Sequence, residues 1–197
     1  MISHKHKFIF IHIPKTGGTS IEAALRDESC QLLSGEWDYT SSRHAPLNHL
    51  TLQELAACGL ATPDQLNSYF KFCIVRNPWE RLISEISCRW MSPWFQDMEL
   101  EQRIRYACAR GTTPLGIANH LRPQADFVSA PGLQMDFIGR FEYLDADFAE
   151  VCRLLGIKAV LPHHNRSQHR PYQEYYNAET QALVTNTYRR DIDAFHY

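Results

Sequence analysis

The sequence predicts a three-layer α/β fold, with a central and mostly parallel sheet flanked by helices. Three observations carry this expectation. Two strongly apolar runs, residues 8–13 (FIFIHI) and 69–75 (YFKFCIV), read as buried strands. Each passes through a short turn into a helical pattern, the alternation that builds parallel strands with their C-terminal ends on one side. Each joint also carries a cation, Lys15 at the first and Arg76 at the second, so both are expected at one crevice.

Taken in order, the first strand ends in Pro14, Lys15 and Thr16, the turn is Gly17-Gly18, and a helix follows from Thr19 to about residue 28. Residues 29–50 lack periodicity and read as an irregular excursion over the end of the sheet, where binding groups often sit. Thr51 with Glu54, and Thr62 with Pro63 and Gln65, carry the grammar of helix starts for two short peripheral helices. After the second strand, Asn77, Pro78 and Glu80 occupy the N-cap, N1 and N3 positions of a helix predicted to reach Trp90. A helix is expected over residues 100–108, a short one over 114–121, and irregular structure over 122–132. Residues 135–141 form a third strand candidate, weakened by Gly139, and residues 144–155 a clear amphipathic helix closed by Gly156. Residues 161–172 read as a cationic loop or lid, residues 178–190 as the last helix capped by Asn177, and residues 191–197 as a tail packing back on the body.

A chain of 197 residues suits one domain with a sizeable core, expected to span residues 1–197. Its formal net charge of -2 excludes a global electrostatic argument for nucleic acid. The 6 cysteines form no CxxC pair and show no structural zinc spacing, which fits free thiols in a reducing compartment. The apolar run after the basic N-terminus is too short for a membrane span and has no signal-peptide cleavage pattern. The expectation is therefore a cytoplasmic protein with no membrane span and no nucleic-acid partner, its oligomeric state unspecified.

The joint at residues 8–20 points to a compact anion. Helix N-termini leave N–H groups without intrahelical partners, glycines admit a ligand close to the backbone, and Lys15 with Thr16, Thr19 and Ser20 adds charge and hydroxyls. The nearest general pattern is the P-loop, GxxxxGK[ST], so the fold is expected to be P-loop-like. The sequence departs from that pattern, because Lys15 precedes the glycines and no upstream glycine completes it. No acidic residue at a strand end supplies the usual magnesium carboxylate; Asp136 is the nearest, and it sits at a strand start.

At this point the chain resembles the sulfotransferases that use 3'-phosphoadenosine 5'-phosphosulfate, above all the carbohydrate-type branch and its small bacterial relatives. FIHIPKTGGTS resembles their 5'-phosphosulfate loop, and FCIVRNPWERLIS resembles their 3'-phosphate strand and helix. DFIGRFEYL, LPHHNRSQHRPYQEYY and DIDAFHY extend the likeness along nearly the whole chain. The resemblance implies that Lys15 lies beside the bridging oxygen between phosphate and sulfate. It implies that Thr16, Gly17, Gly18, Thr19 and Ser20 hold the 5'-phosphosulfate, and that Arg76 and Ser84 hold the 3'-phosphate. It further implies 3',5'-adenosine bisphosphate as product, no required metal, and an acceptor hydroxyl on a saccharide or glycolipid. Arg140, ending the third strand, is expected either at the crevice or in an ion pair with Glu142. Residues 161–172 are expected to close over the nucleotide, with Arg170 nominated as a donor contact among His163, His164, Arg166, Ser167 and His169.

Sulfuryl transfer needs the acceptor hydroxyl to lose a proton, and a histidine suits that task. The resemblance nominates His44, with His49 as the competing imidazole and Glu22, Glu36 and Glu85 as carboxylate alternatives. Trp37, Tyr39, Trp90, Trp94 and Phe95 are candidate surfaces for stacking a sugar, and core packing is the alternative for each.

Overall fold

The structure, a computed structural model, describes residues 1–31, 33, 47–88, 95, 97–110, 118–162 and 170–197. A five-stranded sheet lies at the centre, built from β1 (Ile2–Ser3), β2 (Phe8–Ile11), β3 (Cys30–Gln31), β4 (Phe70–Val75) and β5 (Phe137–Arg140), in the order β3-β1-β2-β4-β5. β2, β4 and β5 pair in parallel, with Ile11 opposite Cys73 and Val75 opposite Arg140. Their C-terminal ends therefore share one edge of the sheet. β1 runs antiparallel to both β2 and β3, so it alone opposes the rest.

The period of two along each strand sorts its residues into two cores. Phe8, Phe10, Phe72 and Ile74 face one layer, α1 (Gly18–Leu25) and α8 (Leu144–Leu155), where they meet Ile21, Leu25, Phe148 and Val151. Ile9, Ile11, Cys73 and Val75 face the other, where Leu52 and Leu55 of α2 (Leu52–Ala57), Leu66 of α3 (Pro63–Ser68) and Phe127 of α7 (Gln124–Val128) pack. Being buried on both faces explains why residues 8–11 and 72–75 read as continuous apolar runs. A third, wholly helical cluster joins α4 (Pro78–Ile86), α5 (Leu100–Arg110), α6 (Ala118–Leu121) and α9 (Ala178–Thr187) around Ile83, Ile104, Leu121 and Val184.

The helix starts follow the sequence grammar. Thr51 and Glu54, Thr62 and Gln65, and Asn177 and Thr180 form reciprocal capping boxes, and Asn77 accepts from the N–H groups of Trp79 and Glu80. Several bounds differ from expectation. The first strand ends at Ile11 and its helix at Leu25. The stretch expected to be irregular after Arg122 contains α7, and the expected tail is a further helix, α10 (Arg189–Phe195). β1 and β3 are two-residue strands that no pattern announced. Phe95, a candidate sugar platform, is fully buried with its ring edge-on to Tyr106, so it is core.

Candidate functional site

The first joint is held in a conformation that requires specific support. Lys15 has φ 67, in the left-handed region that costs a non-glycine residue about 1–3 kcal/mol. Two arginines of the second joint grip the backbone beside it. Arg76 Nη1 donates to the Lys15 carbonyl at 3.1 Å, and Arg81 Nε donates to the Pro14 carbonyl at 3.0 Å. Thr16 Oγ1 donates to the Ile13 carbonyl at 2.8 Å, so its hydroxyl braces the loop from inside. The Lys15 side chain remains partly exposed.

The two glycines do different work. Gly17 is the N-cap of α1 with φ 84, a conformation that side chains resist. Its carbonyl receives the first bonds of α1, from the N–H groups of Ser20 at 3.0 Å and Ile21 at 3.2 Å. Gly18 is a packing requirement, since a Cβ there would lie 2.1 Å from the imidazole of His12. Thr19 is exposed and Ser20 is buried.

Arg76 is fixed at its backbone and its side chain alike. Gln124, which is fully buried, accepts from the Arg76 N–H at 2.8 Å and donates to the Arg76 carbonyl at 2.8 Å, as a neighbouring strand would. Asp191 on α10 accepts in turn from the Gln124 N–H at 2.8 Å. The guanidinium lies over the Phe141 ring at 4.0 Å and pairs with Glu80 at 3.3 Å. Burial lowers its pKa from the ordinary arginine value, while Glu80 pulls in the opposite sense. Ser84 is buried two turns along α4.

The other nominated residues are placed as follows. Arg140 ends β5 at the same edge, but its expected partner Glu142 is engaged elsewhere. Arg140 donates to the Phe195 carbonyl and lies over the Tyr197 ring at 4.7 Å. Glu142 accepts from the Asn77 N–H at 2.6 Å and from the Tyr197 hydroxyl at 3.0 Å. Arg170 is exposed beside Glu174 at 3.4 Å, with its N–H donating to the Tyr175 hydroxyl at 3.1 Å. Asp136 accepts from the backbone and ammonium of Lys71 at the opposite edge of the sheet, away from the crevice. His44, Glu36, Trp37, Tyr39, Trp90, Trp94 and residues 163–169 lie outside the described residues.

Behind the first joint lies a cluster that the sequence did not announce as a unit. His12 Nδ1 meets Glu22 at 3.0 Å, His49 Nδ1 donates to the His12 carbonyl at 2.9 Å, and His120 Nδ1 faces both oxygens of Glu85 at 3.2 Å. The His49 ring stands edge-on between the other two, 4.7 Å from each. Burial, joined by the like charges of His12 and His120, pushes the His49 imidazole well below its ordinary pKa. Burial opposes ionisation of Glu22, yet its hydrogen bond to His12 and that ring's charge outweigh burial and lower its pKa. Among the described residues, no group of three or more His, Cys, Asp or Glu side chains could hold a metal ion. His49, Glu22 and Glu85 were each legible as single candidates; His12 and His120 were not singled out, because 10 histidines make residue type a poor selector.

The family model described as "Sulfotransferase family" matches residues 1–197. Carbohydrate sulfotransferase 10 of Xenopus laevis is 32% identical over 107 residues, covering 48% of this chain and 28% of the relative. Its counterpart from Danio rerio is 31% identical over 105 residues, covering 48% and 27%. Carbohydrate sulfotransferase 11 of Rattus norvegicus is 21% identical across 100% of this chain and 66% of its own length. The chain thus spans roughly a quarter to two thirds of these relatives. No solved structure matches it.

Proposed function

The chain belongs to the sulfotransferase family, and from that premise we propose that it moves a sulfuryl group from 3'-phosphoadenosine 5'-phosphosulfate to a hydroxyl on a carbohydrate or glycolipid. The observation that carries this reading is the bonding of the two strand–cation–helix joints into one unit, Arg76 onto the carbonyl of Lys15. A donor with phosphate at both its 3' and 5' positions needs two anion sites at a fixed separation. Here one side chain spans the two joints. The donor set fits the ligand chemically: an ammonium, the N–H groups opening α1, the Thr19 and Ser20 hydroxyls, and across the crevice Arg76 and Ser84. Arg140 and Arg170 remain the proposed outer contacts. The names of the relatives support a sugar acceptor.

In this reading the acceptor oxygen attacks sulfur in line with the departing phosphate oxygen, and negative charge grows on that oxygen. Lys15 and the α1 N–H groups stabilise the charge where it develops. The hydroxyl proton passes to an imidazole on the acceptor side, for which the sequence nominates His44. The reading assigns no step to a metal ion.

Titration calorimetry tests the donor site. The wild-type protein is expected to bind 3',5'-adenosine bisphosphate without added metal. Arg76→Ala is expected to weaken that binding about tenfold or more, a charged hydrogen bond being worth about 1.5–3 kcal/mol. Tighter binding of adenosine triphosphate with magnesium than of the bisphosphate would instead support a kinase.

A further inference from the structure

We propose that His120, held by Glu85, is the imidazole that takes the proton of the attacking hydroxyl, in place of His44. The inference rests on the sulfuryl-transfer reading above.

Glu85 lies on α4 with its side chain 2% exposed, and both its oxygens sit 3.2 Å from His120 Nδ1. A carboxylate accepts hydrogen bonds, so the neutral ring carries its proton on Nδ1. The lone pair is then on Nε2, at the ring's other end. This is how a His–carboxylate pair is arranged when the imidazole must receive a proton and then be stabilised as a cation. The His120 side chain is 32% exposed, so the ring reaches solvent.

Its neighbours in the cluster do not meet these conditions. His49 is 7% exposed, spends Nδ1 on the His12 carbonyl, and is disfavoured as a cation by burial. His12 is 6% exposed, held by Glu22 and covered by Gly18. His120 is thus the most exposed imidazole of this cluster.

Its place beside the donor loop is fixed by Arg81, a buried residue of α4. Arg81 Nη2 donates to the His120 carbonyl at 2.8 Å, while Nε of the same guanidinium donates to the Pro14 carbonyl at 3.0 Å. One rigid planar group therefore holds the residue before Lys15 and the backbone of His120. The ring itself packs edge-on against His49, which is bonded to the carbonyl two residues before Pro14.

The acceptor oxygen forms its bond to sulfur as the bond from sulfur to the phosphate oxygen breaks. The hydroxyl proton moves to His120 Nε2, and Glu85 holds the Nδ1 proton throughout. The bisphosphate leaves, and His120 later releases its proton to water.

The test uses the full chain, with three variants and two readouts. His120→Asn keeps a donor in the Nδ1 position and removes Nε2; Glu85→Gln keeps the shape and removes the carboxylate; His44→Asn is measured beside them. Release of bisphosphate from the phosphosulfate donor is followed with saccharide acceptors, and also with water as acceptor. Side-chain nitrogen spectra of histidine report the neutral tautomer without turnover. The proposal expects His120→Asn to lower kcat about 100-fold or more while bisphosphate binding is unchanged. It expects a smaller kcat loss in Glu85→Gln, and the Nδ1–H tautomer for His120 in the wild type. It is overturned by His120→Asn turning over within about threefold of wild type, by an Nε2–H tautomer, or by turnover lost in His44→Asn and kept in His120→Asn. A wild-type protein that binds the bisphosphate yet releases none from the donor overturns the reaction itself, and this proposal with it.

Discussion

Gly18 shows how closely the donor loop is fitted to what lies behind it. A methyl group there would sit 2.1 Å from the His12 ring, which is itself buried and held by Glu22. Neither partner can retreat cheaply, so Gly18→Ala is expected to cost about 1–3 kcal/mol in a denaturant titration. His49 makes a prediction of another kind. Unfolded, its ring takes a proton near pH 6.5; folded, it resists until well below that value. The unfolded state then holds the extra proton, so stability is full above pH 6.5 and falls as pH drops below it. His49→Asn, which keeps a donor toward the His12 carbonyl, should show a shallower loss between pH 6.5 and 5, read from denaturation midpoints at each pH. At this scale the sequence was most informative where a residue's chemistry and its place on a strand–helix joint coincide, as at Lys15 and Arg76. It was silent on His12 and His120, whose importance comes from neighbours distant along the chain. For Arg140 the expected ion pair with Glu142 gave way to contacts with Phe195 and Tyr197, in a segment that the sequence presented as a tail.

Among the elements, α7 and α10 carry more of the site than their length suggests. Gln124 copies the bonding of a strand onto Arg76, and Asp191 fastens Gln124 and Ala125 from α10. Burial raises the pKa of Asp191, against the N–H groups that stabilise its charge. Gln124→Leu would leave the buried N–H and carbonyl of Arg76 without these partners, an expected loss of about 1–3 kcal/mol for each group. Calorimetry should show weaker bisphosphate binding in the same variant, since Arg76 loses its backbone anchor. The sequence hid both helices for physical reasons. α7 is short and lies in a segment rich in proline and glycine, while α10 has acidic residues among few apolar ones and draws its order from packing. β2 and β4, by contrast, were legible as continuous apolar runs because helices cover both their faces. β1 and β3 are two residues long, below the length at which a period can register.

Across the molecule, the parallel pairing of β2, β4 and β5 brings the ends of three strands to one edge, and the cations Lys15, Arg76 and Arg140 follow from that topology. Arg76 and Arg81 then convert adjacency into a rigid unit by bonding across to the first joint. No helix among the described residues is long and apolar enough to cross a membrane. The central claim is that this unit binds a phosphosulfate donor and stabilises its leaving oxygen through Lys15. The most direct measurement follows label from the donor's sulfuryl group into carbohydrate acceptors, comparing wild type with Lys15→Ala at saturating donor. The account predicts transfer by the wild type and a fall in kcat of about 100- to 1,000-fold in the variant. Equal transfer by the two proteins, or no transfer by a wild type that binds the bisphosphate, would contradict it.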